Sequence, residues 1–401
     1  MVTKDSKETR YYFDWAASAP CEESDFSVPF GNPSSLHSEG RAAKAALDDA
    51  RQRCASVLNV PPETLYFTSG GTESNSIALF STLMRKGRGR IVASLAEHSS
   101  VREGIETLEK MGKPTGNIAV DTEGRVTPFL FEKALEKYGD VRFAAIMAAN
   151  NETGAVTDIA SLRDVIRKQK ENGGPGAAET SSPVHFHCDL VQAAGKIPID
   201  IANWEIDSAS ISAHKIGGPR GIGLLYLRRP SSRGGIEVFY RGGGQENGVR
   251  GGTENIHGAV ALANCLEKIA RPETVAANYG RAEARWKKLI SSLAAMKRCT
   301  LIPSRRALTE TNEDGFSPYI LQAAFKGIPG EVMARALDDL GFAVSTGSAC
   351  SSSSPERPVL VAMGVEESLR LEGIRISQGW STTDEEIDLL LNAIAEVLKF
   401  L

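Results

Sequence analysis

One cysteine lies in a stretch of sequence that offers little apolar surface. Residues 345–358, STGSACSSSSPERP, hold Cys350 among six serines, one glycine and two prolines. Such a composition predicts a mobile surface loop, because these side chains bury little area. A thiol on a loop is open to oxidation, and its thiolate is a nucleophile. Cys350 is therefore either an incidental surface cysteine or a nucleophile carried by a loop.

A candidate anion site lies within YFTSGGTESNSIALF, residues 66–80, where an apolar strand turns into a helix through Ser69, Gly70, Gly71 and Thr72. Glycines at such a turn let a phosphate approach the N–H groups of the helix N-terminus, and hydroxyls add donors. The alternative is an N-capped helix after a tight turn. The stretch is not a P-loop, because no Gly-Lys-Ser/Thr follows.

The segment HFHCDLVQAAGK, residues 185–196, places His185, His187 and Asp189 on one face if it begins as a strand. That face suggests a metal triad, but three successive positions on one face span about 13 Å at the usual rise per residue, too far for one ion. The alternative is that the histidines are satisfied by packing. Asp189 then ends the strand, where open α/β sheets bind ligands.

Lys215 follows the apolar strand candidate in SISAHKIGGPRG. A lysine at a strand end, partly removed from water, is a candidate Schiff-base amine, although many such lysines are solvated loop residues. Lys215, Asp189 and the turn before Thr72 together supply what pyridoxal phosphate requires. These are an amine, a carboxylate that keeps the pyridine nitrogen protonated, and an anion site.

The segments that must position these residues alternate between short apolar runs and amphipathic stretches from about residue 63. This pattern is typical of an α/β sheet with crossover helices. Continuous apolarity favours central parallel strands covered on both faces. Residues 170–183 predict a long surface loop. The predicted strands are TLYFTS, RIVASL, VRFAAIMAA, PVHFHCD, SASISA and GIGLLYLR.

The pattern of predicted secondary structure changes after about residue 256. Longer helical patterns there precede the strand candidates LQAAFKG and GIRISQG. We expect a large α/β domain with a mainly parallel sheet at residues 21–255 and a smaller α+β domain at 256–401. Residues 1–20 form an N-terminal segment that packs on the smaller domain. Thr383 and Glu386 have the spacing of a capping box at the start of the final helix.

Composition narrows the class of protein. The chain has 401 residues, 24% of them charged, and a net charge of −4, which is ordinary for a globular protein and gives no nucleic-acid footprint. No apolar run approaches the roughly 20 residues of a membrane span, and no targeting segment is legible. The six cysteines are dispersed, which favours free thiols in a reducing compartment, so we expect a cytoplasmic protein.

Several motifs in one order carry a family resemblance from about residue 11 to 398. The chain resembles the cysteine desulfurases, fold type I pyridoxal-phosphate enzymes of the class V aminotransferase group. This resemblance implies a large cofactor-binding domain and a smaller C-terminal domain that carries the Cys350 loop. The motifs are TSGGTESN, EHSSV, NNETG, HCDLVQAAGK, SAHKIGGPRG, GGGQENGVRGGTEN and STGSACSSS.

The resemblance also implies roles around the cofactor. Lys215 forms the Schiff base, Asp189 pairs with the pyridine nitrogen, and Gln192 hydrogen-bonds the phenolic oxygen. His98 stacks on the ring and helps to move protons. Gly71, Thr72, Ser212 and His214 hold the phosphate, and Thr253 reaches the phosphate of a neighbouring subunit, which implies a homodimer with shared active sites.

The remaining implied roles concern substrate and product. Asn151 and Arg375 bind the carboxylate of L-cysteine, a task that suits the planar guanidinium fork. Cys350 takes the substrate sulfur as a persulfide, leaving L-alanine, and delivers it to an unidentified acceptor for iron–sulfur cluster assembly or thiolation. We expect no metal ion, because the candidate ligands along one strand are too far apart to share one.

The chain departs from the family pattern in places, and other functions stay open. It is shorter between Pro20 and Gly31, where a helix is expected to be missing or reduced; it has SAHK where SGHK is usual, and Leu190 behind Asp189. The alternatives are a selenocysteine lyase or another class V enzyme. A third is a non-catalytic sulfur or metal carrier that uses Cys350 with the two histidines at 185 and 187.

Overall fold

The computed structural model describes residues 10–21, 27–84, 89–171, 184–230, 236–239, 241–308, 315–347 and 357–401. Its strands are β1 (Tyr11–Tyr12), β2 (Leu65–Thr68), β3 (Arg90–Ser94), β4 (Thr115–Ile118), β5 (Val141–Met147), β6 (His185–Asp189), β7 (Ser208–Ser212), β8 (Gly223–Leu227), β9 (Cys299–Ile302), β10 (Ile320–Phe325), β11 (Phe342–Ala343) and β12 (Gly373–Ser377). Its helices are α1 (Ser38–Leu58), α2 (Gly71–Phe80), α3 (Ser99–Lys110), α4 (Pro128–Tyr138), α5 (Ile159–Glu171), α6 (Ile256–Ile269), α7 (Pro272–Ala294), α8 (Gly330–Asp339), α9 (Pro358–Ala362), α10 (Glu367–Glu372) and α11 (Asp384–Phe400).

A seven-stranded sheet organises the first two thirds of the chain, in the order β2-β8-β7-β6-β5-β3-β4. Its adjacent pairs from β7 to β4 are parallel, and β8 alone runs against its neighbours. All six strands predicted from apolar runs lie in this sheet, so the predicted α/β class with a mainly parallel sheet is confirmed. The sequence did not reveal β4, because its residues TGNI contain one apolar side chain at the sheet edge.

Strand register brings the ends of β5, β6 and β7 to one edge of the large sheet. Met147 pairs with Asp189, and Asp189 pairs with Ser210. Because these strands are parallel, the residues that follow them emerge on the same side, the position that α/β sheets use for ligands. The chain segments after Asp189 and after Ser212 therefore start beside each other.

A smaller antiparallel sheet, β12-β10-β9, packs against α7, α8 and α11. Its core includes Trp286, Phe325 and Ile376, all at most 1% exposed. Helix α6 instead contributes Leu262 and Leu266 to the core of the large sheet. A smaller α+β unit is thus present as expected, while the boundary at residue 255 stays a prediction.

The segment from Tyr11 to Ala19 connects the two sheets. Strand β1 pairs in parallel with β11, and Ser377 Oγ accepts a hydrogen bond from the Ala16 nitrogen at 3.0 Å. The Ala19 nitrogen then donates to the His214 carbonyl at 2.8 Å, next to the end of β7. This segment therefore runs from the small sheet to the ligand edge of the large one.

The predicted capping box of the final helix is present. Thr383 Oγ1 accepts from the Glu386 nitrogen at 3.2 Å, and Glu386 Oε2 accepts from the Thr383 nitrogen at 2.7 Å. The predicted loop at 170–183 and the shortened stretch after Pro20 lie largely outside the described residues. Among the described helices, none combines the length and apolarity that crossing a bilayer requires.

Candidate active site

Asp189 ends β6 as a buried carboxylate that the chain itself holds in place. Asn75, in α2, donates from Nδ2 to Asp189 Oδ2 at 2.8 Å, and the Val191 nitrogen donates to Oδ1 at 2.9 Å. The side chain is 4% exposed. These two donors fix the orientation of the carboxylate plane. Sequence analysis found Asp189 from its strand end but missed Asn75, which lies more than a hundred residues earlier.

The two histidines of β6 are hydrogen-bonded within the sheet. Ser208 Oγ lies 2.8 Å from both His185 Nε2 and His187 Nδ1, and His187 Nε2 lies 2.9 Å from Asn75 Oδ1. Burial lowers the pKa of His187 to about 3, so the ring is neutral. The packing alternative for the histidines is therefore confirmed. Within the described ranges no group of three metal-ligating side chains is assembled.

Lys215 lies one short turn beyond β7 and points to the segment from Tyr11 to Ala19. Its Nζ donates to the carbonyls of Ala16 at 2.6 Å and Ala17 at 2.9 Å. Gln192 Nε2 donates to the same Ala16 carbonyl at 2.9 Å. The structure thus brings Lys215 and Gln192 together on one backbone oxygen.

His98 is the N-cap of α3 and is linked to Asp189 through two side chains. Its Nδ1 accepts from the Ser100 nitrogen at 3.2 Å, and Asn75 donates to Ser100 Oγ at 2.9 Å. Burial lowers the pKa of His98, with Asp189 raising it and Lys215 lowering it to a smaller degree. Because Nδ1 accepts, the neutral ring carries its proton on Nε2. The capping hydrogen bond occupies Nδ1, so the Nε2 proton can contact a ligand.

The turn before α2 has the geometry of an anion cradle. Gly70 has φ of 155°, a conformation for glycine alone, and a Cβ on Gly71 would lie 2.6 Å from Val191 Cγ2. Gly70 has no side chain to cap α2, so within the described ranges the first N–H groups of the helix, including those of Gly71 and Thr72, stay available. Ser212 Oγ lies 3.7 Å from the Cβ position of Gly70. Three of the four predicted phosphate residues are therefore gathered here.

His214, the fourth predicted phosphate residue, lies next to Lys215. Its Nδ1 is 3.4 Å from Ser18 Oγ. Burial lowers its pKa to about 4, and the neighbouring Lys215 adds to that effect. A neutral His214 can donate one hydrogen bond to an anion at neutral pH.

Arg375 and Asn151 meet where β12 faces the large sheet. Arg375, 1% exposed, donates from Nη2 to Asp14 Oδ1 at 2.8 Å and from Nη1 to the Asn151 carbonyl at 2.9 Å. Within the described part of the chain, Arg375 Nε and Asn151 Oδ1 are buried without a hydrogen-bond partner. A buried polar group without a hydrogen-bond partner destabilises the fold unless a ligand provides the partner.

Thr253 is the predicted residue of the described ranges that is not joined to this cluster. It is exposed, and among the described residues no hydrogen bond links it to the turn before α2. Cys350 lies outside the described residues. Sequence analysis also missed the carbonyls of Ala16 and Ala17, because backbone groups leave no signal in side-chain patterns.

These residues fit a phosphate-bearing pyridine aldehyde. The turn before α2 offers N–H groups for a phosphate, Asp189 offers a fixed carboxylate for a ring nitrogen, and Lys215 offers an amine. The unpaired Arg375 Nε suits an amino-acid carboxylate beside that ring. Fold and site define a pyridoxal-phosphate enzyme of the Schiff-base type.

Comparisons with known proteins narrow that class. The model of the family described as "Aminotransferase class-V" matches residues 22–390. A NifS/IcsS protein homolog of Lactobacillus delbrueckii subsp. bulgaricus is 36% identical over 92% of this chain and 90% of its own. Cysteine desulfurase IscS of Dictyoglomus turgidum is 33% identical over 97% and 94%. A solved NifS-like protein superposes with a TM-score of 0.84 at 31% identity, covering 98% of this chain and all of its own.

The chain therefore belongs to the class V aminotransferases and, among them, to the pyridoxal-phosphate-dependent cysteine desulfurase family.

Proposed function

We propose that the protein converts L-cysteine to L-alanine and transfers the sulfur to Cys350 as a persulfide. The observation that carries this proposal is the meeting of Asp189, Lys215 and the turn before α2 at one sheet edge, with Arg375 beside them. Family membership supports the reaction class. Pyridoxal phosphate, when bound, supplies an electron sink for the substrate α-carbon.

The cofactor would be held by residues that the chain has already oriented. Asp189 would receive the ring nitrogen, and Gln192 would donate to the phenolic oxygen through Nε2. His98 would cover the ring face and exchange a proton through Nε2. Gly71, Thr72, Ser212 and His214 would hold the phosphate, and Thr253 of a second copy would complete that site.

Substrate binding would use Arg375 Nε, which has no hydrogen-bond partner among the described residues. Arg375 Nε and Asn151 Nδ2 would donate to the substrate carboxylate, which orients the α-hydrogen toward Lys215. Lys215, released from its covalent role, would remove that proton as a base. Its hydrogen bonds to the Ala16 and Ala17 carbonyls would limit where the amine can move.

Sulfur transfer would require the Cys350 thiolate. Its Sγ forms a bond to the substrate sulfur while the substrate Cβ–S bond breaks, and the bonding electron pair stays with the substrate carbon. Protons then complete alanine. The composition of residues 345–358 supports this role, because serine and glycine make movement of the thiol inexpensive.

We further propose a cytoplasmic homodimer with shared active sites that delivers sulfur to an acceptor protein. The dispersed cysteines support a reducing compartment, and Thr253 supports the shared site. Domain limits of 21–255 and 256–401, with residues 1–20 on the smaller domain, belong to the same proposal.

Mass spectrometry after incubation with L-cysteine tests the reaction. We expect one extra sulfur atom on the peptide that contains Cys350, formation of alanine, and loss of both in Lys215→Ala. Cys350→Ala should lose sulfur transfer from cysteine, whereas Cys21→Ala, a matched control at an exposed cysteine, should keep it. Selenocysteine turnover that survives Cys350→Ala, with no persulfide from cysteine, would identify a selenocysteine lyase instead.

A further inference from the structure

Lys196 is a fully buried lysine that the proposed reaction does not use. Its side chain is 1% exposed, and it lies in the turn that follows β6. Lys196 follows Gln192 by four residues within this turn, and its Nζ reaches the Gln192 side chain. Lys196 therefore contacts a residue that would contact the cofactor.

The ammonium of Lys196 meets the side-chain oxygen of Gln192. Its Nζ donates to Gln192 Oε1 at 2.6 Å, while Gln192 Nε2 donates to the Ala16 carbonyl at 2.9 Å. The reversed amide would place two donors, Lys196 Nζ and Gln192 Nε2, against each other. It would also place two acceptors together at the Ala16 carbonyl. One amide orientation therefore satisfies both contacts.

Packing alone does not explain a lysine at this position. Among the described residues no carboxylate lies within salt-bridge distance of Lys196, and methionine would fill a similar volume without the cost of burying an ammonium group. Burial lowers the pKa of Lys196 to about 7, and the positive charges of Lys215 and Arg375 act in the same direction. Among the described residues, the hydrogen-bond acceptor that Lys196 Nζ meets is Gln192 Oε1.

We infer that Lys196 is a positioning residue that fixes the Gln192 amide with Nε2 toward Ala16 and the Lys215 amine. The inference rests on the proposed role of Gln192 toward the cofactor's phenolic oxygen. With Oε1 occupied by Lys196, Nε2 keeps one N–H for the Ala16 carbonyl and presents the second to a ligand. Without Lys196 the amide loses one of the two contacts that select its orientation, and only the Ala16 carbonyl remains.

A double-mutant cycle in cofactor affinity tests this inference. Pyridoxal phosphate is titrated into apoprotein and followed by its absorbance for Lys196→Met, Gln192→Ala and the double variant. We expect Lys196→Met to raise the dissociation constant roughly three- to tenfold, the size of one hydrogen bond. The double variant should bind like Gln192→Ala alone. Lys196→Leu gives a second neutral side chain, so the result does not depend on the folding of one variant.

The outcomes separate the inference from the proposed function. Effects that multiply in the double variant would mean that Lys196 acts by its charge and would overturn the positioning role, as would unchanged affinity in Lys196→Met and Lys196→Leu. Unchanged affinity in Gln192→Ala would overturn the proposed role of Gln192 itself, and the inference with it.

A second buried cation and amide provide the control. Arg285 donates from Nε to Gln378 Oε1 at 2.8 Å. Arg285→Met removes the same kind of contact away from the cofactor residues. We expect it to lower stability and to leave the dissociation constant of pyridoxal phosphate unchanged. An equal loss of cofactor affinity in Arg285→Met would show that any buried cation has this effect, which contradicts a specific role for Lys196.

Discussion

Asn75 holds the Asp189 carboxylate in place within the site. Its Nδ2 donates to Asp189 and to Ser100, while its Oδ1 lies 2.9 Å from His187 Nε2. One amide thus joins the carboxylate, the cap of His98 and the buried ring of β6. The motif TSGGTESN ends at Asn75 but assigned it no role, because its partners come from strands and helices that meet only after folding.

We expect Asn75→Ala to lower kcat roughly tenfold or more. The change removes a hydrogen bond to the Asp189 carboxylate and leaves His187 Nε2 with only a 3.5 Å contact to Ser210 Oγ. Steady-state alanine production measures the loss. Asn203→Ala is the matched control, because Asn203 donates to Asp200 at 2.6 Å on the surface. Equal rates for Asn75→Ala and Asn203→Ala would contradict the role assigned to Asn75.

Glu97 gives the molecule a pH dependence of stability. It is buried, with Oε1 accepting from the Met147 nitrogen at 2.8 Å, and burial raises its pKa to about 8. The folded carboxyl therefore keeps its proton between the unfolded pKa near 4.5 and about 8, while the unfolded one is ionised. Folded protein binds more protons than unfolded protein in that window, so this group's contribution to stability is lost as pH rises.

Glu97→Gln should remove that dependence. We expect the variant's free energy of unfolding, relative to wild type, to rise between pH 5.5 and pH 8 by at most about 1.4 kcal/mol per pH unit. Urea unfolding at several pH values measures the difference. Parallel pH profiles for Glu97→Gln and wild type would show that the buried carboxyl titrates normally.

A buried ion pair joins helix α1 to the turn before Thr253. Arg51 binds both carboxylate oxygens of Glu246 at 2.7 Å, and Glu246 Oε2 also accepts from the Phe67 nitrogen at 2.8 Å. Glu246 and Asn247 have φ of 48° and 53°, so the turn is left-handed at two successive residues that are not glycine. The contact with Arg51 and β2 holds this strained turn in place.

Arg51→Met should destabilise the protein by about 3 kcal/mol or more, because it leaves the Glu246 carboxylate buried without its partner. Chemical denaturation measures the loss. Arg335→Met breaks an exposed pair with Glu331 and should change stability by less than about 1 kcal/mol. Similar losses in both variants would mean that the burial of Glu246 has no energetic consequence.

At the scale of single elements, strands with continuous apolar side chains could be predicted from the sequence, and shorter strands could not. Strands β5 and β8 are recognisable because both faces are covered. Strands β1 and β11 have two residues each, and β4 has a polar sequence at an edge. Their pairing depends on neighbours that are distant in the chain, so local periodicity does not reveal them.

At the scale of the whole molecule, Thr253 is the predicted site residue that one copy leaves outside the cluster, among those that the structure describes. It is exposed and follows the turn held by Arg51. The family resemblance assigns it to the phosphate of a neighbouring subunit, which the fold of a single chain does not test. A dimer with shared sites would place Thr253 of one copy beside the turn before α2 of the other.

Mixed dimers test that arrangement. We expect Thr253→Ala to weaken cofactor binding roughly tenfold, and Lys215→Ala to abolish turnover. Heterodimers of the two variants should contain one site with both native residues, so activity at limiting pyridoxal phosphate should exceed that of either parent. Activity no higher than the mean of the parents would place Thr253 in its own subunit's site, or in none.

The alternation of strands and helices in the sequence predicted the overall plan of the molecule. It did not predict how the large and the small sheet are joined. Asp189 and Lys215 could be identified because strand ends and flanking glycines mark them. The link from Asp14 to Arg375 and from Ala16 to Lys215 uses a short segment without a periodic pattern. Only folding shows that this segment crosses between the sheets.

The Ala16 carbonyl has a consequence for how this enzyme tolerates sequence change. The atom that holds both Lys215 and Gln192 belongs to the peptide bond, so any amino acid at position 16 supplies it. Substitutions at position 16 in a mutational scan would therefore test the size of the side chain and would not test the carbonyl. The contact is sensitive instead to a change in the backbone. An α-hydroxy acid at residue 17 would replace the amide bond with an ester, and the ester carbonyl of residue 16 is a weaker acceptor.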